Sequence, residues 1–264
     1  MINRGTENNH WWSFHRDWKK EVGEVIDETP LTIYVNGVEL VTIMGTPLNQ
    51  DWLAVGFLKN EGILNNVEEI EDLRITSEGC CVDVLLNRTV KLPSKKIITS
   101  GCGGGITYDD PQIGIEPFLI ESSTTPDCIL GAFKKLQTKD SLYARARGVH
   151  AAGLLDLEGK QLIKVAEDVG RHNTIDKLRG ACLLEGIPTR GRGLLTTGRI
   201  SSEMLQKGAL MGCPLIASRT SPTSLAVEMA RSWKITLVGY ARHGKLRVYC
   251  YPERLGLENY SDNE

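Results

Sequence analysis

Alternation of apolar and polar positions first becomes regular at Leu31-Thr32-Ile33-Tyr34-Val35 and resumes from Val38 to Met44. Between the two runs stands Asn36-Gly37, a pair that tolerates the positive φ angles of a type I′ turn, so the segment is expected to form a β-hairpin. A helix is expected next. Thr46 would cap it, Pro47 suits its first position, Trp52, Val55 and Phe57 give it an apolar face, and Gly62 would end it. Strand-like runs at Leu73–Thr76 and Cys80–Leu86 complete a small α+β unit.

Regular patterning lapses from Thr99 to Pro126, a stretch with five glycines and with Pro111 and Pro117. A connection of this length is usually functional or a linker. It holds Thr99-Ser100-Gly101-Cys102-Gly103-Gly104-Gly105 and divides the chain into four expected parts: a tail at 1–28, the small α+β domain at 29–98, the cysteine loop and linker at 99–126, and a larger domain at 127–264. His10-Trp11-Trp12 reads as part of a plain tail or as a docking segment.

In the larger part, Thr125-Pro126-Asp127 opens a helix to about Leu136, and two strands flank the Glu158-Gly159 turn, at Gly148–Leu155 and Gln161–Val165. A helix covers Thr174–Leu184 and stops at Gly186. From Gly193 the order is strand (Leu194–Thr196), helix (Ser202–Met211), strand (Leu215–Ser218), helix (Pro222–Trp233), strand (Ile235–Tyr240) and a returning strand (Leu246–Tyr251). Strand–helix alternation with short loops predicts an α/β fold with a parallel sheet.

Ligands of open parallel sheets sit outside the carboxyl ends of the strands. Here the expected loops are Thr197-Gly198-Arg199-Ile200-Ser201, Arg219-Thr220-Ser221 after Ser218, and Ala241-Arg242-His243-Gly244-Lys245 after Tyr240. Each carries an arginine, and the first two lead into helix N-termini, where free N–H groups favour anions. A phosphate-rich ligand fits this edge, as would solvated arginines beside ordinary helix caps. Upstream, Asp168 or Asn173 could cap a helix, or Arg171 and His172 could join the anion site. His150, inside an apolar run, reads as a core histidine.

Composition narrows these readings. A formal net charge of −2 over 264 residues gives no reason to expect a nucleic-acid partner, and no apolar run approaches a membrane span. Seven cysteines without scaffold spacing, and no signal-peptide core, point to reduced thiols in the cytoplasm. Cys80, Cys81, Cys182, Cys213 and Cys250 sit in strand-like or apolar runs and are assigned to packing. Cys102 differs, because its glycine neighbours would expose the sulfur and aim N–H groups at it, which suits a nucleophile or a sulfur carrier. Zinc is not expected: no C-x₂-C pair occurs, and His150-Ala151-Ala152 lacks a deaminase glutamate.

Several segments in order carry a resemblance. They are Val149-His150-Ala151-Ala152-Gly153, Glu167-Asp168-Val169-Gly170-Arg171-His172-Asn173 through Asp176-Lys177, Gly198-Arg199-Ile200-Ser201-Ser202-Glu203-Met204, and Ala217-Ser218-Arg219-Thr220-Ser221-Pro222-Thr223. With the cysteine loop they resemble the formate dehydrogenase accessory sulfurtransferases, the FdhD family, from about Pro30 to the Leu246–Tyr251 strand. The resemblance implies a larger domain like the cytidine-deaminase fold without zinc, and a homodimer. It also implies a sulfurtransferase that takes persulfide sulfur from a cysteine desulfurase on Cys102. That sulfur would pass to the bis(molybdopterin guanine dinucleotide) molybdenum cofactor of formate dehydrogenase, with GDP as a mimic of the cofactor's nucleotide end. Tyr240, Ala241, Arg242, His243, Gly244 and Lys245 match the family's cofactor-binding segment, and Gly198, Arg199, Ser218 and Arg219 are expected to join them. The family's loop is Cys-Gly-x-Cys-Gly, whereas Gly105 stands here at the second cysteine. A two-cysteine relay within the loop is therefore impossible, and a cofactor chaperone that moves no sulfur is the competing reading.

Overall fold

The structure is a computed structural model and describes residues 5–76, 79–90, 97–98, 106–107, 115–119 and 123–257. Residues 1–28 were expected as a tail, yet they hold an antiparallel ribbon of β1 (Thr6–His15) and β2 (Asp17–Ile26), turning at Arg16 with φ 72°. The expected hairpin forms as β3 (Thr29–Val35) and β4 (Val38–Gly45). Asn36 and Gly37 lie at φ 52° and 76°, the positive pair a type I′ turn needs.

The following helix, α1 (Gln50–Asn60), starts later than Thr46 and Pro47 suggest, with Asn49 at its N-cap. Thr46 is engaged elsewhere: its N–H donates to Asp168 Oδ2 at 3.1 Å and its hydroxyl accepts from Val169 N–H at 3.1 Å. With β5 (Ile70–Ile75) and β6 (Cys81–Leu86), the first unit makes a four-stranded sheet ordered β4-β3-β6-β5, with β3 and β6 parallel. Ile33, Val35, Val82 and Val84 pack from this sheet against Leu53, Phe57 and Leu58 of α1. Two short strands, β7 (Ile97–Ile98) and β8 (Ile106–Thr107), pair with each other. The cysteine loop between them, Cys102 included, lies outside the described residues.

Then come α2 (Pro126–Lys135), capped by the Thr125 hydroxyl, and a five-residue α3 (Leu142–Ala146) that the sequence did not announce. The remaining elements alternate: β9 (His150–Asp156), β10 (Gln161–Asp168), α4 (Arg171–Leu184), β11 (Gly193–Thr196), α5 (Ser202–Leu210), β12 (Leu215–Ser218), α6 (Ser224–Ser232), β13 (Thr236–Arg242) and β14 (Lys245–Cys250). Their six-stranded sheet is ordered β10-β9-β11-β12-β13-β14, with β11, β12 and β13 parallel as expected and the flanking strands antiparallel.

Period-2 alternation gives the sheet two apolar faces. Leu194, Ile216 and Leu237 point into a core with Leu178, Met204, Leu205 and Ala226 of α4, α5 and α6. Their neighbours Leu195, Leu215 and Val238 meet Ile129 and Phe133 of α2. The two units are joined where α1 crosses α4. A Cβ on Gly56 would lie 1.7 Å from the Asp176 carbonyl oxygen, and one on Gly180 2.0 Å from that of Trp52, so only glycine allows the approach. Among the described residues no helix is long and apolar enough to cross a membrane.

Candidate functional site

The carboxyl ends of β11 and β12 are laced together before any ligand is considered. Ser218 is fully buried, donating its hydroxyl to the Gly198 carbonyl at 2.6 Å and accepting from Thr220 N–H at 2.9 Å. Arg219 N–H reaches the Thr196 carbonyl at 3.2 Å, and Tyr240 N–H the Thr220 carbonyl at 3.0 Å. Gly198 is close to Arg171: a Cβ there would sit 2.8 Å from the Arg171 Cβ. Ser218 and Gly198 therefore shape the loops from within.

Above this lacing opens a cavity of about 950 Å³, bounded by α2, α3, the start of β9 and the strand-end loops. Thr197, Arg219, Thr220, Ala241, Arg242, His243 and Gly244 line one side. Phe133 and Lys134 of α2, Gln137 just beyond that helix and Tyr143 of α3 also line the cavity, as does His150. The volume lies at the upper end of the range for small-molecule sites. Arg199, Tyr240 and Lys245 are not among the lining residues. Arg199 and Lys245 are exposed, and Tyr240 stacks under the Arg247 guanidinium at 4.4 Å. The third loop is also tighter than expected: β13 runs on to Arg242, which pairs with Lys245 across a hairpin whose turn residues, His243 and Gly244, lie at φ 53° and 73°.

Positive charge dominates the wall. Lys134, Arg219 and Arg242 face one carboxylate, Asp127, and none of the three forms an ion pair among the described residues. Arg219 is held in place by neutral acceptors, the Phe133 carbonyl at 3.3 Å and the Gln137 side-chain oxygen, with its guanidinium 6.0 Å from the Phe133 ring centre. Its geometry is fixed while its charge stays unmatched, an arrangement suited to a phosphate or another oxyanion.

His150 was expected in the core, and the structure puts it half-buried on the cavity wall. The signal was available in the strand directions. Because β9 is antiparallel to β11, with Ala152 opposite Thr196, the beginning of β9 lies beside the end of β11. The Thr197 hydroxyl oxygen accepts from Ala151 N–H at 2.9 Å and lies 3.3 Å from His150 Nδ1. That oxygen has a second lone pair and a proton, so Nδ1 can bond it as acceptor or as donor, and Nε2 is the ring nitrogen left without a partner from Thr197. Burial, and then the Arg171 charge, lower the His150 pKa against an opposing pull from Asp168, which favours the neutral ring.

Arg171 and His172 do not line the cavity. His172 is buried with Nε2 3.2 Å from Glu203 Oε2, without the geometry of a hydrogen bond, and burial followed by the Lys207 and Arg171 charges pushes its pKa down to about 3. Asp168 does not cap α4 directly, since Gly170 is the N-cap. It accepts from Gly170 N–H at 2.8 Å and from Asn173 at 2.9 Å, and pairs with Lys177 at 2.6 Å. Burial raises Cys182 and Cys213 to about 12 and Cys250 to about 11, so these three thiols stay protonated and unreactive at neutral pH.

Fold and site together define an α/β protein with a cationic cavity at the carboxyl edge of its parallel strands. A sequence model described as the FdhD/NarQ family matches residues 26–256, and the chain belongs to that family. It is 36% identical over 237 residues to a sulfur carrier protein FdhD of Staphylococcus haemolyticus, covering 87% of this chain and 89% of that one. A sulfur carrier protein FdhD of Bacillus subtilis is 35% identical over 251 residues, covering 90% and 95%. Among solved structures, a protein described as a formate dehydrogenase accessory protein from Desulfotalea psychrophila superposes with a TM-score of 0.78 at 27% identity. That match covers 95% of this chain and 99% of the other.

Proposed function

We propose that this chain is a cytoplasmic sulfur carrier that serves formate dehydrogenase by delivering sulfur to a bis(molybdopterin guanine dinucleotide) molybdenum cofactor. The observation that carries the reading is the cationic cavity, whose Arg219, Arg242 and Lys134, without an ion-pair partner among the described residues, suit the pyrophosphate of a guanine dinucleotide. The family's relatives named as sulfur carriers support the sulfur side of it.

In this reading the Cys102 thiolate attacks the outer sulfur of a cysteine desulfurase persulfide. A new S–S bond forms at Cys102, the donor's S–S bond breaks, and the donor cysteine leaves as thiolate. Transfer of that outer sulfur to the cofactor, which is cargo, would break the S–S bond at Cys102 and return Cys102 as the thiolate leaving group. His150, kept toward its neutral form by burial, would offer a ring nitrogen to bound ligand without adding charge.

The test is incubation of the full chain with a cysteine desulfurase and cysteine, followed by intact-mass measurement. The expected result is a gain of one sulfur atom that disappears in Cys102→Ser. No gain, or an undiminished gain in the variant, overturns sulfur carriage. Gly105 favours a second reading, a cofactor chaperone that transfers no sulfur. On that reading Cys102→Ser still supports formate dehydrogenase activity in cells, while Arg242→Ala does not.

A further inference from the structure

At five residues α3 is too short to hold itself as a helix in water, and side chains from three strands fix it. The N–H groups of Leu142 and Tyr143, at its start, have no partner within the helix. Both donate to the Glu167 carboxylate of β10, at 2.8 Å to Oε2 and 3.3 Å to Oε1. The Ser141 hydroxyl accepts from Ala144 N–H at 3.1 Å. At the far end Arg145 forks onto Glu24 of β2 at 2.7 and 2.9 Å and bonds Thr6 of β1.

Glu167 is half-buried and has no cation at ion-pair distance among the described residues. Burial raises its pKa, and the two N–H groups pull against that. A carboxylate spent on adjacent N–H groups at the start of so short a helix fixes where the helix aims its side chains. One of these is Tyr143, which lines the cavity.

The cavity wall is divided. Lys134, Arg219 and Arg242 supply a cationic part, and Leu130, Tyr143 and Val149 an apolar part. Of Phe133 and Tyr143, the first already lies beneath the Arg219 guanidinium. The half-buried Tyr143 ring has no ring or cation partner among the described residues, and its hydroxyl makes no hydrogen bond among them. An oriented ring left without a partner beside a cationic patch suits a ligand that is anionic at one end and flat and aromatic at the other.

We propose that Tyr143 is the stacking platform for the purine base of the bound nucleotide, and that Glu167 positions it through α3. The proposal rests on the cofactor reading and adds to it the base end of the ligand. Stacking needs the ring alone, so the Tyr143 hydroxyl is dispensable.

Calorimetric titration of the full chain with GDP and with inorganic pyrophosphate, which has no base, tests this. Wild type is expected to bind both. Tyr143→Ala should weaken GDP at least about fivefold and change pyrophosphate by less than about twofold, while Tyr143→Phe keeps GDP within about twofold. Glu167→Ala should repeat the Tyr143→Ala pattern, and the double variant should bind GDP no more weakly than Tyr143→Ala alone, because both residues act through one ring. Glu167→Gln keeps one acceptor for two donors; it should show the same selective loss at about twofold or more, and it decides where Glu167→Ala does not fold. Unaltered GDP affinity in Tyr143→Ala overturns the platform and leaves the cationic reading standing. No loss of GDP in the Glu167 variants, equal losses of GDP and pyrophosphate, or additive losses in the double variant overturn the positioning role. A wild type that binds GDP without pyrophosphate overturns the division of the wall, and one that binds neither overturns the cofactor reading and this proposal with it.

Discussion

Lysine and arginine play opposite parts in two neighbouring regions. At the junction of the two units two lysines are buried and matched: Lys177 with Asp168 at 2.6 Å and Lys207 with Asp176 at 2.8 Å. At the carboxyl edge Lys134, Arg219 and Arg242 line a cavity and meet no carboxylate at ion-pair distance among the described residues. The first set answers charges inside the chain and fixes one packing of the two units. The second is oriented by the fold and left for a ligand. Residue type does not separate the two sets, so only the partners tell a structural cation from a binding one.

That contrast predicts opposite costs. Lys177→Ala would leave the Asp168 carboxylate buried without its cation and should lower unfolding stability by about 3–5 kcal/mol, read by urea denaturation. A loss under about 1 kcal/mol would mean that the pair does not hold the junction together. Gly180→Ala tests the same junction through backbone contact, because the added methyl meets the Trp52 carbonyl. The expected loss is about 1–3 kcal/mol or more.

A smaller and pH-dependent effect should come from His172. Its folded pKa of about 3 lies below the ordinary 6.5, so the unfolded chain takes up a proton first as pH falls. Stability contributed by the neutral buried ring is complete above 6.5 and is lost toward 3, at up to about 1.4 kcal/mol per pH unit. Urea midpoints from pH 7 to 4.5 should fall less steeply in His172→Gln than in wild type. His150, shifted down for the same main reason, contributes in the same direction. Smallest of all, Arg242→Ala should change stability by no more than about 0.5 kcal/mol, since nothing buried depends on it.

Much of the fold was legible because local signals agreed with the long-range ones. Asn36-Gly37 marked its hairpin, Thr125-Pro126 its helix start, and the strand–helix order from Gly193 its parallel strands. The failures share a cause, which is that the deciding partner is distant in sequence. Thr46 looked like a local cap until Asp168 and Val169, more than a hundred residues away, claimed its polar groups. The ribbon escaped because its turn is a single Arg16 in place of a glycine or asparagine pair, and because its aromatic face is open to solvent. At the edge, Arg219 and Arg242 were found by position, but Lys134 of α2, Gln137 just after it and Tyr143 of α3 come from a stretch that precedes the sheet's strands in sequence. Ser218 and Gly198, picked as ligand contacts, turn out to hold the loops to each other and to Arg171.

The central claim, that the unmatched cations of the carboxyl edge are kept for the guanine nucleotide of a cofactor, is tested most directly by calorimetric titration of GDP into the full chain and into Arg219→Ala/Arg242→Ala. The account predicts saturable binding by wild type, weakened at least about tenfold in the double variant, which keeps a single cooperative urea transition. Equal affinity in both proteins, or no binding by wild type, would contradict it.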